Sequence, residues 1–326
     1  MALKKRRYSA AQVQMQGVFP LRFQRFEMGR QRETEEHTHA FCEIGLSLGG
    51  GAIHLHDGLE QALEPGSIYI LTPGESHALR VPQSWTVQNI YYSPELFSRE
   101  YGAFLSLPRL MGLFFHRELF GSSGVPCFRL TPAVFAQIEK ILELAAPDAD
   151  VGEKPALEDP RDGGTPAPAL SGLAAPIVLR SLFTALLVLV AEDHQRQFPD
   201  HPAFAIDGRI FAALAAVENL LEGPARDVVP AVGDALGMTR EYASSFFHAK
   251  TGSTIRDYVL RRRVLRACPL LLEGRSVTAV AHELGFWDTP HFTRSFRKIF
   301  GCAPRDYREH LQSGYGSLDS GMGRPN

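Results

Sequence analysis

The chain is poor in cysteine, in long apolar runs and in net charge, and each shortage removes a class of protein. Its four cysteines, Cys42, Cys127, Cys268 and Cys302, are spread over 326 residues. None forms a Cys-x-x-Cys pair and all have apolar neighbours, which argues against a disulfide framework and for buried free thiols in a reducing compartment. The longest apolar stretch, residues 173–191, is broken by Pro176 and Arg180. About eleven uninterrupted residues remain, against the roughly 20 that a membrane span requires. The N-terminus, MALKKRRYSAAQ, is basic but has no apolar core behind it, so it does not read as a secretory signal. The expectation is a soluble cytoplasmic protein with no membrane partner.

The 34 Lys and Arg nearly cancel against 36 Asp and Glu, for a net charge of −2. That balance hides a division. Residues 1–206 carry 18 basic and 23 acidic side chains, whereas residues 239–308 carry 13 and 6, a local net of +7. The positive charge is concentrated where a polyanion would bind. A hydrophobic fraction of 44% supports buried cores, and the length suits two domains.

Residues 20–100 read as short strands. EIGLSL, AIHLHD, SIYILTP and TVQNIYY are rich in β-branched and aromatic residues, and Gly-Gly-Gly, Asp-Gly and Pro-Gly turns separate them. Such spacing without intervening helices predicts an antiparallel barrel or jelly roll. From Thr131 the period becomes helical. Thr131-Pro132 reads as a capped helix start, followed by Val134, Ile138, Ile141, Leu142 and Ala145. Residues 146–172 are dense in Pro, Gly and acids and read as a disordered insertion. A second helix over 173–196 carries a stripe of Leu179, Leu182, Phe183, Leu186, Leu187 and Val190. That stripe suits either an internal core or a second subunit.

The last hundred residues repeat one pattern. Val-Gly-Asp-Ala-Leu-Gly-Met around Gly233 and Val-Ala-His-Glu-Leu-Gly-Phe around Ala281 each read as a short apolar helix that ends at a glycine, Gly237 or Gly285. A polar-opening helix carrying Arg and Lys then begins. A glycine at positive φ lets two short helices meet steeply and leaves the second free to enter a major groove. Phe246 and Phe247, and again Phe292, Phe296 and Ile299, would anchor these outer helices. Arg240, Glu241, Ser244, Ser245 and His248 would face out from the first unit. Thr289, His291, Thr293, Arg294, Arg297 and Lys298 would do so from the second. Arg294 suits bidentate contact with a guanine edge; Arg297 and Lys298 suit phosphates. A solvated basic face is the plainer alternative.

Residues 207–310 resemble the C-terminal domain of the AraC/XylS family of bacterial transcription regulators. The resemblance rests on Arg263-x3-Ala267-x2-Leu270-Leu271, Val280-Ala281-x3-Gly285-Phe286, Phe292-x-Arg294-x-Phe296-Arg297-Lys298, Gly301-x2-Pro304 and Tyr307-Arg308. It implies seven helices, with a linker helix near 254–272 joining two helix–turn–helix units on one face of DNA. The first unit departs from the pattern. Gly233 stands where alanine is usual, Ala243 where leucine is expected, and Ser245 where a longer base-reading side chain is common. Pro269 would kink or shorten the linker helix.

In the strand region, His37-x-His39-x3-Glu43-x6-Gly50, followed by Gly66-x10-His77, resembles the two motifs of a cupin, although Pro73 lies one place from its usual position. The segment QNIYYSPELF also resembles the rhamnose-responsive branch of the regulator family. His37 and His39 fall on one strand face, Glu43 joins across a bend, and His77 comes from another strand. This set could hold a divalent metal with open positions, or line a pocket for a small-molecule effector such as a sugar. Tyr69 and Trp85 are further candidates for the pocket, with ordinary core packing as the alternative.

The expected architecture is α+β in two domains. A flexible N-terminus (1–19) precedes a cupin-like antiparallel barrel (20–130) with flanking helices and a helical packing or dimerisation region (131–198). A linker (199–206) leads to the all-α double helix–turn–helix domain (207–312) and a disordered tail (313–326). The expected function is an effector-controlled DNA-binding regulator that is not an enzyme, more an activator than a repressor. Its expected partners are duplex DNA, RNA polymerase and a second copy of the chain. The alternative is a metal-dependent cupin enzyme with an attached helical domain.

Overall fold

Alternation of buried and partly exposed side chains builds the strand region. In Ala52–His56, residues 52, 54 and 56 are buried while 53 and 55 are half-exposed. The computed structural model describes residues 6–8, 21–39, 41–97, 100–116, 127–145, 151–153, 175–201, 207–221, 228–300 and 302–307. They divide into two units. One holds Leu21–Leu96 and Leu107–Ala205; the other holds Phe97–Ser106 and the chain from Ile206 onward.

In chain order the strands are β1 (Arg6–Tyr8), β2 (Leu21–Met28), β3 (Arg32–Glu33), β4 (His37–His39), β5 (Cys42–Gly50) and β6 (Ala52–His56). They continue with β7 (Leu59–Leu63), β8 (Ser67–Leu71), β9 (Ser76–Val81), β10 (Trp85–Tyr92), β11 (Cys127–Arg129) and β12 (Val151–Glu153). One sheet runs β1-β4-β9-β6-β7, with β3 also on β9; the other runs β11-β8-β5-β10-β2-β12. Pairing is antiparallel except at β1 with β4 and at β12 with β2. Phe26, Met28, Leu63, Leu79, Val81 and Val87 belong to the core cluster of this unit. Each such burial contributes roughly 1.5–3 kcal/mol relative to exposure. The register sets His77 of β9 directly between His37 of β4 and His56 of β6.

Helices α1 (Tyr101–Phe104), α2 (Pro108–Phe114), α3 (Pro132–Ala145) and α4 (Ala175–Gln197) follow. The helix starts at Pro132 as expected, and the Thr131 hydroxyl before it donates to Asp193 Oδ1 of α4 at 2.6 Å while its N–H donates to Oδ2 at 2.8 Å. Residues 6–8 and 151–153, read as flexible and disordered, are strands, because each finds an open sheet edge to pair with. The rest of the insertion and the tail lie outside the described residues. The α4 stripe packs within its own chain: Phe183, Leu186, Leu187 and Val190 are buried, and the Phe183 ring meets Tyr92 edge-on at 5.0 Å.

The second unit contains α5 (Gly208–Leu221), α6 (Val228–Leu236), α7 (Arg240–Thr251), α8 (Ile255–Leu272), α9 (Val277–Glu283) and α10 (Thr289–Phe300). Side-chain caps mark four helix starts. Thr239, Thr254 and Ser276 accept from the N–H groups of Tyr242, Asp257 and Ala279, and Asp288 accepts from His291 N–H. Pro269 does not end α8, which runs three residues further to Leu272, with Glu273 N–H bonded to the Pro269 carbonyl at 3.0 Å. Proline near a helix end forfeits one bond without breaking the remainder.

Candidate nucleic-acid interface and effector pocket

The repeated turn is the same structure built twice. Gly237 has φ +61° and Gly285 has φ +72°. Met238 N–H reaches back to the Gly233 carbonyl at 2.9 Å, and Phe286 N–H to the Ala281 carbonyl at 3.0 Å. These six-to-one bonds close a Schellman cap on α6 and on α9, which a left-handed glycine permits. The next helix then follows, as α7 in the first unit and α10 in the second.

Both outer helices bury one face. Ala243, Phe246 and Phe247 are buried on α7; Phe292, Ser295 and Phe296 are buried on α10. On the other face of α7, Arg240, Glu241, Ser245 and His248 are exposed and Ser244 is half-buried. On α10, His291, Arg294, Arg297 and Lys298 are exposed, while Thr289 and Thr293 are half-buried. The outward residues expected from the sequence therefore lie away from the core in both copies. The guanidinium and ammonium groups on α10 are free to meet a polyanion, and its dimensions allow a helix to enter a major groove.

Behind these helices lies an ion pair that sequence reasoning missed. Arg262 on α8 donates to both carboxylate oxygens of Glu218 on α5, at 2.6 and 3.1 Å, and Arg266 adds a bond at 3.4 Å. Both Arg262 and Glu218 are buried. Burial alone would pull the Arg262 pKa down, and Glu218 more than reverses that, so the guanidinium stays charged. The Tyr101 ring lies 3.6 Å from its central carbon. Consecutive arginines at 261, 262 and 263 gave no sign of which one turns inward.

In the strand unit the histidines converge. The ring nitrogens of His37, His39 and His77 lie within 4.8 Å of one another, and all three residues are buried. His39 Nε2 is 3.2 Å from Glu43 Oε2 and 3.4 Å from His77 Nε2. The other Glu43 oxygen accepts from Tyr69 O–H at 2.9 Å and from Asn89 Nδ2 at 2.8 Å. His77 Nδ1 lies 3.2 Å from His54 Nε2. A consistent assignment lets His39 Nε2–H donate to Glu43 and His77 Nδ1–H donate to His54. His54 Nδ1 is then a buried donor without a hydrogen-bond partner, and His56 Nε2 has none closer than the Glu75 carboxylate at 3.9 Å. Burial, then His56 and His37, lower the His54 pKa to about 3, so this imidazole is neutral.

Trp85 is not part of the cluster; its indole N–H donates to Ser47 Oγ at 2.9 Å. Tyr69 is, through Glu43 and through its ring stacked on His54 at 4.8 Å. The sequence reading passed over His54, His56 and Asn89. His54-x-His56 repeats the spacing of His37-x-His39 and was a usable signal. Asn89 becomes visible only through strand register.

Residues 232–310 match the helix-turn-helix domain family and residues 23–157 match the AraC-like ligand binding domain family. The chain thus joins an AraC-like ligand binding domain to a helix-turn-helix domain. The activator RhaR of Klebsiella pneumoniae is 22% identical over 279 residues, covering 85% of this chain and 88% of that protein. The activator RhaS of Yersinia pestis is 26% identical over 280 residues, covering 85% and 89%. Among solved structures, ToxT of Vibrio cholerae is 12% identical with a TM-score of 0.37, covering 90% of this chain and 98% of that one. The chain is thus an effector-controlled, DNA-binding regulator with a cupin-like sensor and a helical DNA-binding domain. Among the described residues no helix is long and apolar enough to cross a membrane.

The donor set suits a divalent metal. His37 Nδ1 is engaged by the Glu35 carbonyl at 2.7 Å, which directs its Nε2 to the cluster, and Glu43 is held by Tyr69 and Asn89. Separations of 3.2 and 3.4 Å are close to the ligand-to-ligand edge of about 3.0–3.4 Å that follows from metal bonds near 2.1 Å.

Proposed function

We propose that the chain activates transcription when a small oxygen-rich effector, a sugar being the leading class, occupies the histidine pocket of the sensor unit. The observation that carries this is the buried polar cluster of His37, His39, Glu43, His54 and His77 inside the strand unit. Unpartnered buried donors such as His54 Nδ1 are costly unless something binds them, and hydroxyls of a sugar would satisfy them. The relatives named as transcriptional activators, RhaR and RhaS, support the direction of control. Tyr69 shapes the pocket through Glu43, whereas Trp85 supports its wall.

His37, His39 and His77, with Glu43, would hold a divalent cation in the same pocket. When bound, such an ion supplies a Lewis-acidic anchor for effector oxygens. On the DNA side, Arg294 reads a base edge, Arg297 and Lys298 hold phosphates, and Arg240, Glu241, Ser244, Ser245, His248, Thr289, His291 and Thr293 complete the two outward faces. The active form is a dimer on paired sites in the cytoplasm, where it recruits RNA polymerase. Control requires the effector to bind two arrangements of the protein unequally.

A metal-dependent cupin enzyme is the second reading, favoured by the same histidines. Duplexes selected from random DNA separate the two. The regulator retains its selected site against random competitor at physiological salt, and a sugar panel raises its melting temperature unless His39→Ala or His77→Ala is present. Metal-dependent turnover without sequence-specific retention would replace the regulator with the enzyme.

A further inference from the structure

Two large aromatic side chains in the helical unit face solvent, and both stand at the same end of a recognition helix. Tyr242 is 57% exposed and Trp287 is 94% exposed. Tyr242 lies three residues after the cap of α7, Thr239, and Trp287 lies one residue before the cap of α10, Asp288. The two turns are otherwise matched from Gly237 and Gly285, but the second is one residue longer, and Trp287 is the extra residue. It is not part of the apolar cluster that takes in Phe286, Phe292 and Phe296. An indole left almost wholly in water has a large apolar area to bury on a partner.

We propose that Tyr242 and Trp287 are a matched pair of neutral contacts, one per recognition helix, that lie against the sugar–phosphate strand of duplex DNA. The inference rests on the reading of the chain as a DNA-binding regulator. The surroundings select this partner. Arg240, His248 and Lys250 are exposed on α7, and His291, Arg294, Arg297 and Lys298 on α10. A second copy of so basic a surface would be repelled, whereas a phosphate strand neutralises it. The ring faces pack on deoxyribose, and the phenol O–H and indole Nε1–H donate to phosphate oxygens. Contacts of this kind are indifferent to base identity. They also release no counterions, so they strengthen binding without steepening its salt dependence.

The test uses the full-length protein and a labelled duplex enriched from random DNA, titrated by anisotropy at several salt concentrations. Trp287→Ala weakens binding about tenfold, and Tyr242→Ala about threefold, for selected and unrelated duplexes alike. The slope of log affinity against log salt is unchanged in both, whereas Arg297→Ala lowers it by about one unit. In wild-type protein the duplex also protects Trp287 from acrylamide quenching, with buried Trp85 as the unresponsive reference. Wild-type affinity in Trp287→Ala, or an indole still quenched in the saturated complex, would overturn the proposal and leave the regulator reading intact. Failure of the wild type and every variant to hold any duplex would overturn both.

Discussion

The two helix–turn–helix units share a turn and differ in nearly everything that turn carries. Each has a positive-φ glycine and a six-to-one bond closing the first helix. Around that common joint, the first unit packs Ala243 and Phe247 and leans on the buried Glu218–Arg262 pair. The second packs an aromatic group in which Phe292, Phe296, Phe300 and Tyr307 meet at ring separations of 4.6 to 5.6 Å. Their outer faces differ as well, with serines at 244 and 245 in the first against Arg294, Arg297 and Lys298 in the second. A repeated backbone device fixes how a helix is presented; the side chains decide separately how it is held and what it reads.

The largest expected effects concern how each unit is held. Glu218→Ala leaves Arg262 charged and buried, and should lower stability by about 3–5 kcal/mol. Adding Arg262→Leu should return most of that loss, since apolar replacements of both partners are often neutral. Phe296→Ala should cost a similar amount, about 3–5 kcal/mol, through a cavity that no second substitution of a charge can relieve. Thermal unfolding of the three variants checks the contrast. A Glu218→Ala protein as stable as wild type would remove the ion pair from the account.

Next in size is the reading of sequence. Arg294→Ala should relax discrimination at one base position by about 1–3 kcal/mol in a binding-site selection, while Ser245→Ala changes it little. Equal losses would erase the asymmetry between the units. The smallest effect sharpens the comparison at the turn itself. Helix propensity favours Gly233→Ala by about 1 kcal/mol. A Cβ at residue 233, however, would stand 2.9 Å from the Met238 carbonyl oxygen, so the variant should gain nothing or lose stability. A melting temperature raised by Gly233→Ala would show that the turn has room to spare.

Much of this was legible from residue order alone, because the signals were local. The doubled turn was marked by Gly237 and Gly285, and the strand region by β-branched and aromatic runs separated by Gly and Pro turns. That His77 joins His37, His39 and Glu43 was implied by the cupin resemblance, whereas spacing alone placed only His37 and His39 on one strand face. What stayed hidden depended on register and on which side of a helix turns inward. His56 faces His77 only because β6 and β9 pair as they do, and Arg262 rather than Arg263 meets Glu218 because of the rotation of α8. The bond from the Thr131 hydroxyl to Asp193 illustrates the same limit, since its acceptor lies 62 residues further along the chain.

The central claim is that α7 and α10 present two outward faces to one duplex. Hydroxyl-radical footprinting of the full-length protein on its selected site tests it most directly. The account predicts two protected segments per subunit, about one helical turn apart on the same side of the DNA, with the one assigned to α10 weakened by Arg294→Ala. A single protected segment, or two on opposite sides of the duplex, would contradict it.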